Sequence, residues 1–400
     1  MAESDLKIIS IRDLKPGMYV NQIAHQSGKI KIKSQGRVTS QSIVAALRKR
    51  GVLKVVIDLS KQFDPDTGKD KVTLPENESG KNKTKKPKVS FSIELDRAET
   101  LYHQGKKIQG ELLKAVEQGL PFDDRIPKQF SHSLVESVDR NPDALLCLTR
   151  IREKDDYLLE HSLNVAIISA NFARAIGMDE DDVQALAIAG FLHDLGKIRI
   201  PDEILHKPGR LDENEMAVMK KHVEYGVEAL EEVELNPELI RTVSEHHERL
   251  DGLGYPAGTK GKDISKAGRM LAIADMYDAL TADRCYKAGM PSQRAFSILI
   301  NESPHKLDKA LVQQFIKCMG VYPVGSLVKL SNERLAMVVT HTDSPLSPIV
   351  KVFYSLTGNH YLPPKDINLA QDSRIKIEKA VKASDYKIDF NQFFKQSIST

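Results

Sequence analysis

The sequence predicts a mainly α-helical chain with a small mixed α/β domain on its N-terminal side and a small β unit near its C-terminus. Three observations predict this. Between about residues 151 and 320, one segment after another shows apolar residues at the spacing of a helix face. Near the start, the β-rich runs Leu6–Ile11 and Leu53–Ile57 enclose a single helical pattern. Beyond Tyr322, short apolar runs again read as strands. A length of 400 residues suits two or three such units.

Residues 1–60 form the small mixed domain. A Pro16-Gly17 turn separates its first strand from the rest, and the helical run Ser42–Arg50 is closed by Gly51. It holds no cluster of catalytic residue types, so it reads as a regulatory or packing module, through which a homodimer or a signalling-protein partner would assemble. Residues 61–90 read as a linker punctuated by Pro65, Gly68, Pro75, Gly80 and Pro87. Its basic run (Lys81, Lys83, Lys85, Lys86, Lys88) is of the kind that stays solvated and disordered. Residues 91–150 form a helical connector, in which Leu101, Ile108, Leu112 and Val116 mark one face.

Residues 151–320 carry the chemistry. One helix bears His161, shows the face Val165, Ile168, Phe172 and Ile176, and stops at Gly177. Acidic Asp179–Asp182 caps the next, which ends in His193-Asp194 before Gly196 breaks the pattern. A helix over Asn214–Val233 carries His222, and one opened by Pro237 ends in His246-His247. After a Gly-rich loop from Asp251 to Gly258, a helix over Gly268–Arg284 bears Asp275 and Asp278. Residues 321–400 hold the small β unit, with strands at Ser326–Leu330, Leu335–Thr340 and Ile349–Leu356, and a tail.

Composition excludes several functions. No segment is long and apolar enough for a membrane span, and the opening residues Met1–Asp5 lack the regions of a signal peptide. Cys147, Cys285 and Cys318 are scattered and form neither a zinc pattern nor a disulfide set, which points to a cytoplasmic protein. A net charge of +3 argues against binding a nucleic acid polymer.

His193 beside Asp194 offers nitrogen and oxygen lone pairs suited to Fe, Mn or Zn, and Lys197 suits an anion on such an ion. The pair alone fits a buried hydrogen bond at a helix end equally well. The wider set His161, His193, Asp194, His222, His246, His247 and Asp275 does not, because so many imidazoles and carboxylates share one domain. Without thiolates they suit two borderline-hard ions rather than structural zinc, with Asp194 as the natural bridge.

The strings His193-Asp194, Gly196-Lys197, Lys207-Pro208-Gly209, His222, His246 to Pro256, and Asp275 to Lys287 closely resemble the HD-GYP domain, a branch of the HD phosphohydrolases. The resemblance covers about residues 150–320, and the first domain looks, more loosely, like the DUF3391 type that precedes it. It implies an HD-type helical bundle and a bacterial phosphodiesterase for cyclic di-GMP or 3′3′-cyclic GMP-AMP, giving the linear dinucleotide. It also implies two divalent ions, Fe or Mn, held by His161, His193, Asp194, His222, His246, His247 and Asp275. Asp194 and Lys197 take catalytic roles, and Lys197, Tyr255, Arg284 and Lys287 contact substrate. Asp278 reads either as a partner orienting a ligand or as plain helix packing. Some family members hold a third ion through a glutamate one turn before the histidine matching His161; Tyr157 stands there, and Glu160 and Glu153 are poorly placed. Two other readings stay open: an HD hydrolase of another nucleotide, and a non-catalytic nucleotide-sensing or interaction module.

Overall fold

The computed structural model describes residues 6–15, 18–27, 36–38, 41–49, 51–58, 87–150, 157–282, 289–386 and 388. The Pro16-Gly17 turn and nearly all of the expected linker lie outside them.

The first unit is an antiparallel sheet of β1 (Leu6–Ser10), β2 (Tyr19–Gln26), β3 (Gly36–Arg37) and β4 (Val52–Asp58), in the order β1-β4-β2-β3, with α1 (Gln41–Lys49) leading into β4. Strand β2 was not anticipated, because YVNQIAHQ mixes polar and apolar residues without a clean run. Val20, Val44, Leu47, Val55 and Ile57 form the core of this unit, and Leu120 from the helical region joins them.

The helical region begins with α2 (Phe91–Glu117), α3 (Arg125–Arg140) and α4 (Pro142–Leu148). Helices α5 (Tyr157–Ala175) and α6 (Glu180–Leu192) pack side by side, and Gly190 lies against the backbone of Ala166. There follow α7 (Asp202–Leu205), α8 (Glu213–Lys220), α9 (His222–Glu231), α10 (Pro237–Ser244), α11 (Lys266–Thr281), α12 (Ser292–Glu302) and α13 (Lys309–Met319). From Glu160 to Ala173, α5 is buried on every side and serves as the central helix. Buried residues of α2, including Leu95, Ala98 and Leu112, belong to the same core. A chain starting at Ser90 would therefore keep that core whole while uncovering Leu120. It is expected to keep its full metal content at a modest cost in stability, about 1–2 kcal/mol for the exposed leucine. Metal analysis and urea unfolding check this, and loss of metal from a folded truncation would refute it.

The C-terminal unit is a five-stranded antiparallel sheet of β5 (Leu327–Leu330), β6 (Arg334–Thr340), β7 (Ile349–Ser355), β8 (His360–Asn368) and β9 (Ile377–Val381), in the order β8-β7-β6-β5-β9. The last two strands were not foreseen. In β8 the pair Pro363-Pro364 argues against a strand, yet proline is tolerated where β8 forms the sheet edge. The unit shares one core with the helices. Met337 Sδ lies 4.0 Å from Cys147 Sγ, and the Thr340 hydroxyl donates to buried Asp143 on α4.

Candidate metal centre

Four chain segments converge on Asp194. Helix α6, capped by Asp179 accepting from Asp182 N at 3.0 Å, delivers His193 at its C-terminal end. Asp194 then opens a 3-10 turn, Leu195–Arg199, that packs against α9. The close approach depends on Gly196, where a Cβ would overlap the His222 carbonyl oxygen and Gly226 N.

The helix expected over Asn214–Val233 is broken at Lys221, so His222 stands at the start of α9. The helix expected to end in His246-His247 stops at Ser244, and both histidines lie in the turn beyond it. One local device accounts for these ends. His193 Nδ1 lies 2.8 Å from Gly190 O, His222 Nδ1 2.8 Å from Met219 O, and His246 Nδ1 2.6 Å from Val243 O. In each case a ring N–H donates to the carbonyl three residues earlier, competing with the backbone for it. The donation fixes the tautomer and leaves the Nε2 lone pair facing inward.

His161, buried on α5, is held differently. Its Nδ1 lies 2.7 Å from Asp278 Oδ2, and its Nε2 lies 3.0 Å from Asp275 Oδ1 and 3.4 Å from Asp194 Oδ2. Asp275 and Asp278 share one face of α11, whose first turn is capped by Ser265. Asp278 thus touches a site imidazole rather than merely packing. Asp278→Ala would remove the carboxylate that His161 Nδ1 meets in a buried setting. It should weaken metal retention about 10- to 100-fold in a chelator titration; retention equal to the parent would show that Asp278 only packs.

The two oxygens of Asp194 face different groups. Oδ2 lies 3.3 Å from His193 Nε2, 3.4 Å from His161 Nε2 and 2.5 Å from Lys197 Nζ. Oδ1 lies 3.5 Å from His222 Nε2 and 4.0 Å from His246 Nε2. His222 Nε2 and His246 Nε2 approach each other to 3.4 Å, two lone pairs with no donor between them unless one ring is protonated there. His247 Nδ1 lies 3.9 Å from Asp275 Oδ2. Among the described residues, buried His193 Nε2 and Asp194 Oδ1 have no hydrogen-bond partner, a costly arrangement unless a cation satisfies them. Ligand atoms among the described residues lie within 4.8 Å of one another in three sets: His161, His193 and Asp275; His193, Asp194 and His246; and His222, His246 and His247. This donor set of imidazole nitrogens and carboxylate oxygens fits divalent ions.

The electrostatics agree. Burial opposes charge on Asp194, but His193 and Lys197 outweigh it and hold the carboxyl well below its ordinary range. Burial, aided by the Lys197 charge, lowers His222 to about 4. Burial and the neighbouring His247 push His246 well down too, so both rings are neutral near pH 7 and free to bind metal. Burial also opposes charge on His161, yet hydrogen bonds to Asp275 and Asp278 raise it to about 9. A metal ion bound at the His161 ring would displace such a proton.

Lys197 lies within this cluster, and Tyr255 stands at its edge, its ring 4.7 Å from the His247 ring and 6.3 Å from the His222 ring. The Tyr255 loop folds back tightly. A Cβ on Gly254 would sit 2.6 Å from His247 O, and buried Glu248 accepts from Ala257 N at 2.7 Å. Sequence reasoning missed this use of Glu248. Arg284 and Lys287 were expected on a continuing helix, but α11 ends at Thr281 with Ala282 extended, and both residues lie outside the described ones. So do Glu153 and the side chain of Tyr157. Glu160 is buried and paired with Lys106 from α2 at 3.2 Å.

The chain is similar to known proteins. A family model described as HD domain matches residues 146–311, one for a domain of unknown function (DUF3391) matches 6–124, and one for a KOW domain associated with HD domain matches 327–389. A cyclic di-GMP phosphodiesterase of Pseudomonas aeruginosa is 32% identical over 377 residues, covering 92% of this chain and 89% of the relative. A 3′3′-cGAMP-specific phosphodiesterase of Vibrio cholerae is 40% identical over 162 residues, or 39% of this chain and 30% of the relative. A cyclic di-GMP phosphodiesterase of Thermotoga maritima is 32% identical over 210 residues, or 51% and 56% of the two chains.

Proposed function

The chain belongs to the HD-domain cyclic dinucleotide phosphodiesterases, a family of metal-dependent hydrolases, and from that premise we propose that it opens cyclic di-GMP to the linear dinucleotide at a centre of two divalent ions. One observation carries the two-ion reading: each oxygen of Asp194 faces a different set of imidazoles. His161, His193, Asp275 and Asp194 Oδ2 would hold one ion; His222, His246, His247 and Asp194 Oδ1 would hold the other. Nitrogen and oxygen donors without thiolate favour Fe or Mn. Bound there, such ions supply positive charge to the phosphoryl oxygens and a nucleophile at neutral pH.

The protein's own groups do the rest. Gly190, Met219 and Val243 carbonyls and the Asp278 carboxylate hold the rings before substrate arrives, so little reorganisation is needed. Lys197, now paired with Asp194, is placed to share its ammonium with the charge that grows on the phosphoryl oxygens. Tyr255 walls the site beside His247. Lys197→Ala is expected to keep its metals while kcat falls roughly 100-fold, the scale of one lost charge-stabilising donor. A parental kcat would remove Lys197 from the mechanism.

Two ions, not three, are expected, because the candidate Glu160 is engaged by Lys106 and the position one turn before His161 is Tyr157, a phenol. Cyclic di-GMP is favoured over cyclic GMP-AMP because the cyclic di-GMP relative matches along nearly the whole chain, whereas the V. cholerae relative matches 39% of it. No helix among the described residues is long and apolar enough to cross a membrane. We assign the action to the cytoplasm from the scattered cysteines, and regulation through a second copy or a signalling protein to the N-terminal sheet, whose edge strand exposes Leu6 and Ile8. The test is metal stoichiometry on anaerobically purified protein, with side-by-side turnover of the two cyclic dinucleotides. Three ions per chain, or faster turnover of cyclic GMP-AMP, would overturn the corresponding part.

A further inference from the structure

We propose that Lys220 is a second anion contact, taking the phosphate of the cyclic dinucleotide that is not being cleaved. This rests on the substrate reading above and extends it to the rim of the site. A cyclic dinucleotide carries two phosphodiesters in one covalent ring. Whichever phosphate reaches Asp194 and Lys197, the other is tethered close by and still carries its negative charge.

The Tyr255 ring links the inside of the site to its rim. On it converge the rings of His247 at 4.7 Å and His222 at 6.3 Å, both assigned to metal, and the ammonium of Lys220 at 5.2 Å. Lys220 is exposed, at the end of α8, two residues before His222. The His222 ring is anchored by the Met219 carbonyl, and attraction to the aromatic face draws the lysine over Tyr255 rather than out into water. Among the described residues no carboxylate neutralises Lys220. Two other cations flanking this part of the chain are paired: Lys207 with Glu215 at 2.5 Å, and Arg249 with Asp251. Lys220 therefore offers an uncommitted charge next to the metal ligands, while Lys197 serves the reacting phosphate within.

Binding, rather than chemistry, should depend on it. Lys220→Glu in the full-length, metal-loaded protein should raise KM for cyclic di-GMP roughly tenfold, the effect of replacing attraction by repulsion at an exposed site, with kcat changed less than about twofold. Lys221→Glu makes the same charge change one residue away, off the Tyr255 ring, and should raise KM less than about twofold. The KM shift in Lys220→Glu should also be smaller for bis(p-nitrophenyl) phosphate, which has a single phosphate, and Lys220→Arg should restore most of the affinity. Equal KM shifts in the Lys220 and Lys221 variants, or an unchanged KM in Lys220→Glu beside normal parental turnover, would overturn this assignment alone. Absence of cyclic dinucleotide turnover by the parent protein would overturn the substrate reading and this assignment together.

Discussion

Asp194→Ala is expected to lose both metal ions and at least about a thousandfold in kcat, since the ions are asked for several kcal/mol of transition-state stabilisation. The expectation follows from geometry. One carboxylate, 1% exposed, faces His161 and His193 with one oxygen and His222 and His246 with the other. Removing it deprives both proposed ions of a ligand at once and leaves Lys197 without its 2.5 Å partner. Substitution of a residue on one side only, such as His161→Ala, should cost one ion and spare much of the other. Asp194→Asn keeps the shape without the charge, so it separates loss of the ligand's charge from loss of packing. Elemental analysis of each purified variant, read beside turnover, decides it. Two ions retained in Asp194→Ala would disprove the bridge.

Gly196→Ala is expected to be the most damaging single-methyl change in the helical region. Its Cβ would overlap the His222 carbonyl oxygen and Gly226 N, which are backbone atoms and cannot swing aside. The 3-10 turn carrying Lys197 would have to lift from α9, costing about 2–3 kcal/mol of overpacking and displacing His222 from Asp194. Gly226→Ala, on the other side of the same contact, meets only Gly196 N at 3.6 Å and His193 O at 3.8 Å. As a glycine inside α9 it should be neutral, or more stable by up to about 1 kcal/mol. Urea midpoints of the two variants, with metal content, give the comparison. Equal behaviour would mean that the turn and helix can separate without cost.

The seven residues expected to hold metal were legible because imidazole and carboxylate side chains carry their chemistry in their identity, and because His246 to Pro256 and His193-Asp194 are specific strings. The mainly helical class, with β units at both ends, was legible because side-chain period reports which face is buried. Strands β2, β8 and β9 were not. A strand's stability comes from its partners across the sheet; β2 and β9 pair with β4 and β5, distant in the chain, and Pro363-Pro364 disguised β8. The break at Lys221 was also hidden, since Met219 and His222 show the need for a ring-to-carbonyl hydrogen bond only once Asp194 fixes where the ring must point.

By itself, the sequence determined the donor types, their order and the approximate helices bearing them. Tertiary structure alone decided which oxygen of Asp194 meets which histidines, that Asp278 rather than a backbone carbonyl holds His161, and that Lys220 stands over Tyr255. Periodicity assigns a residue to a face, whereas a metal centre depends on distances of a few ångströms between atoms from five separate segments, and only the packing of those segments sets such distances.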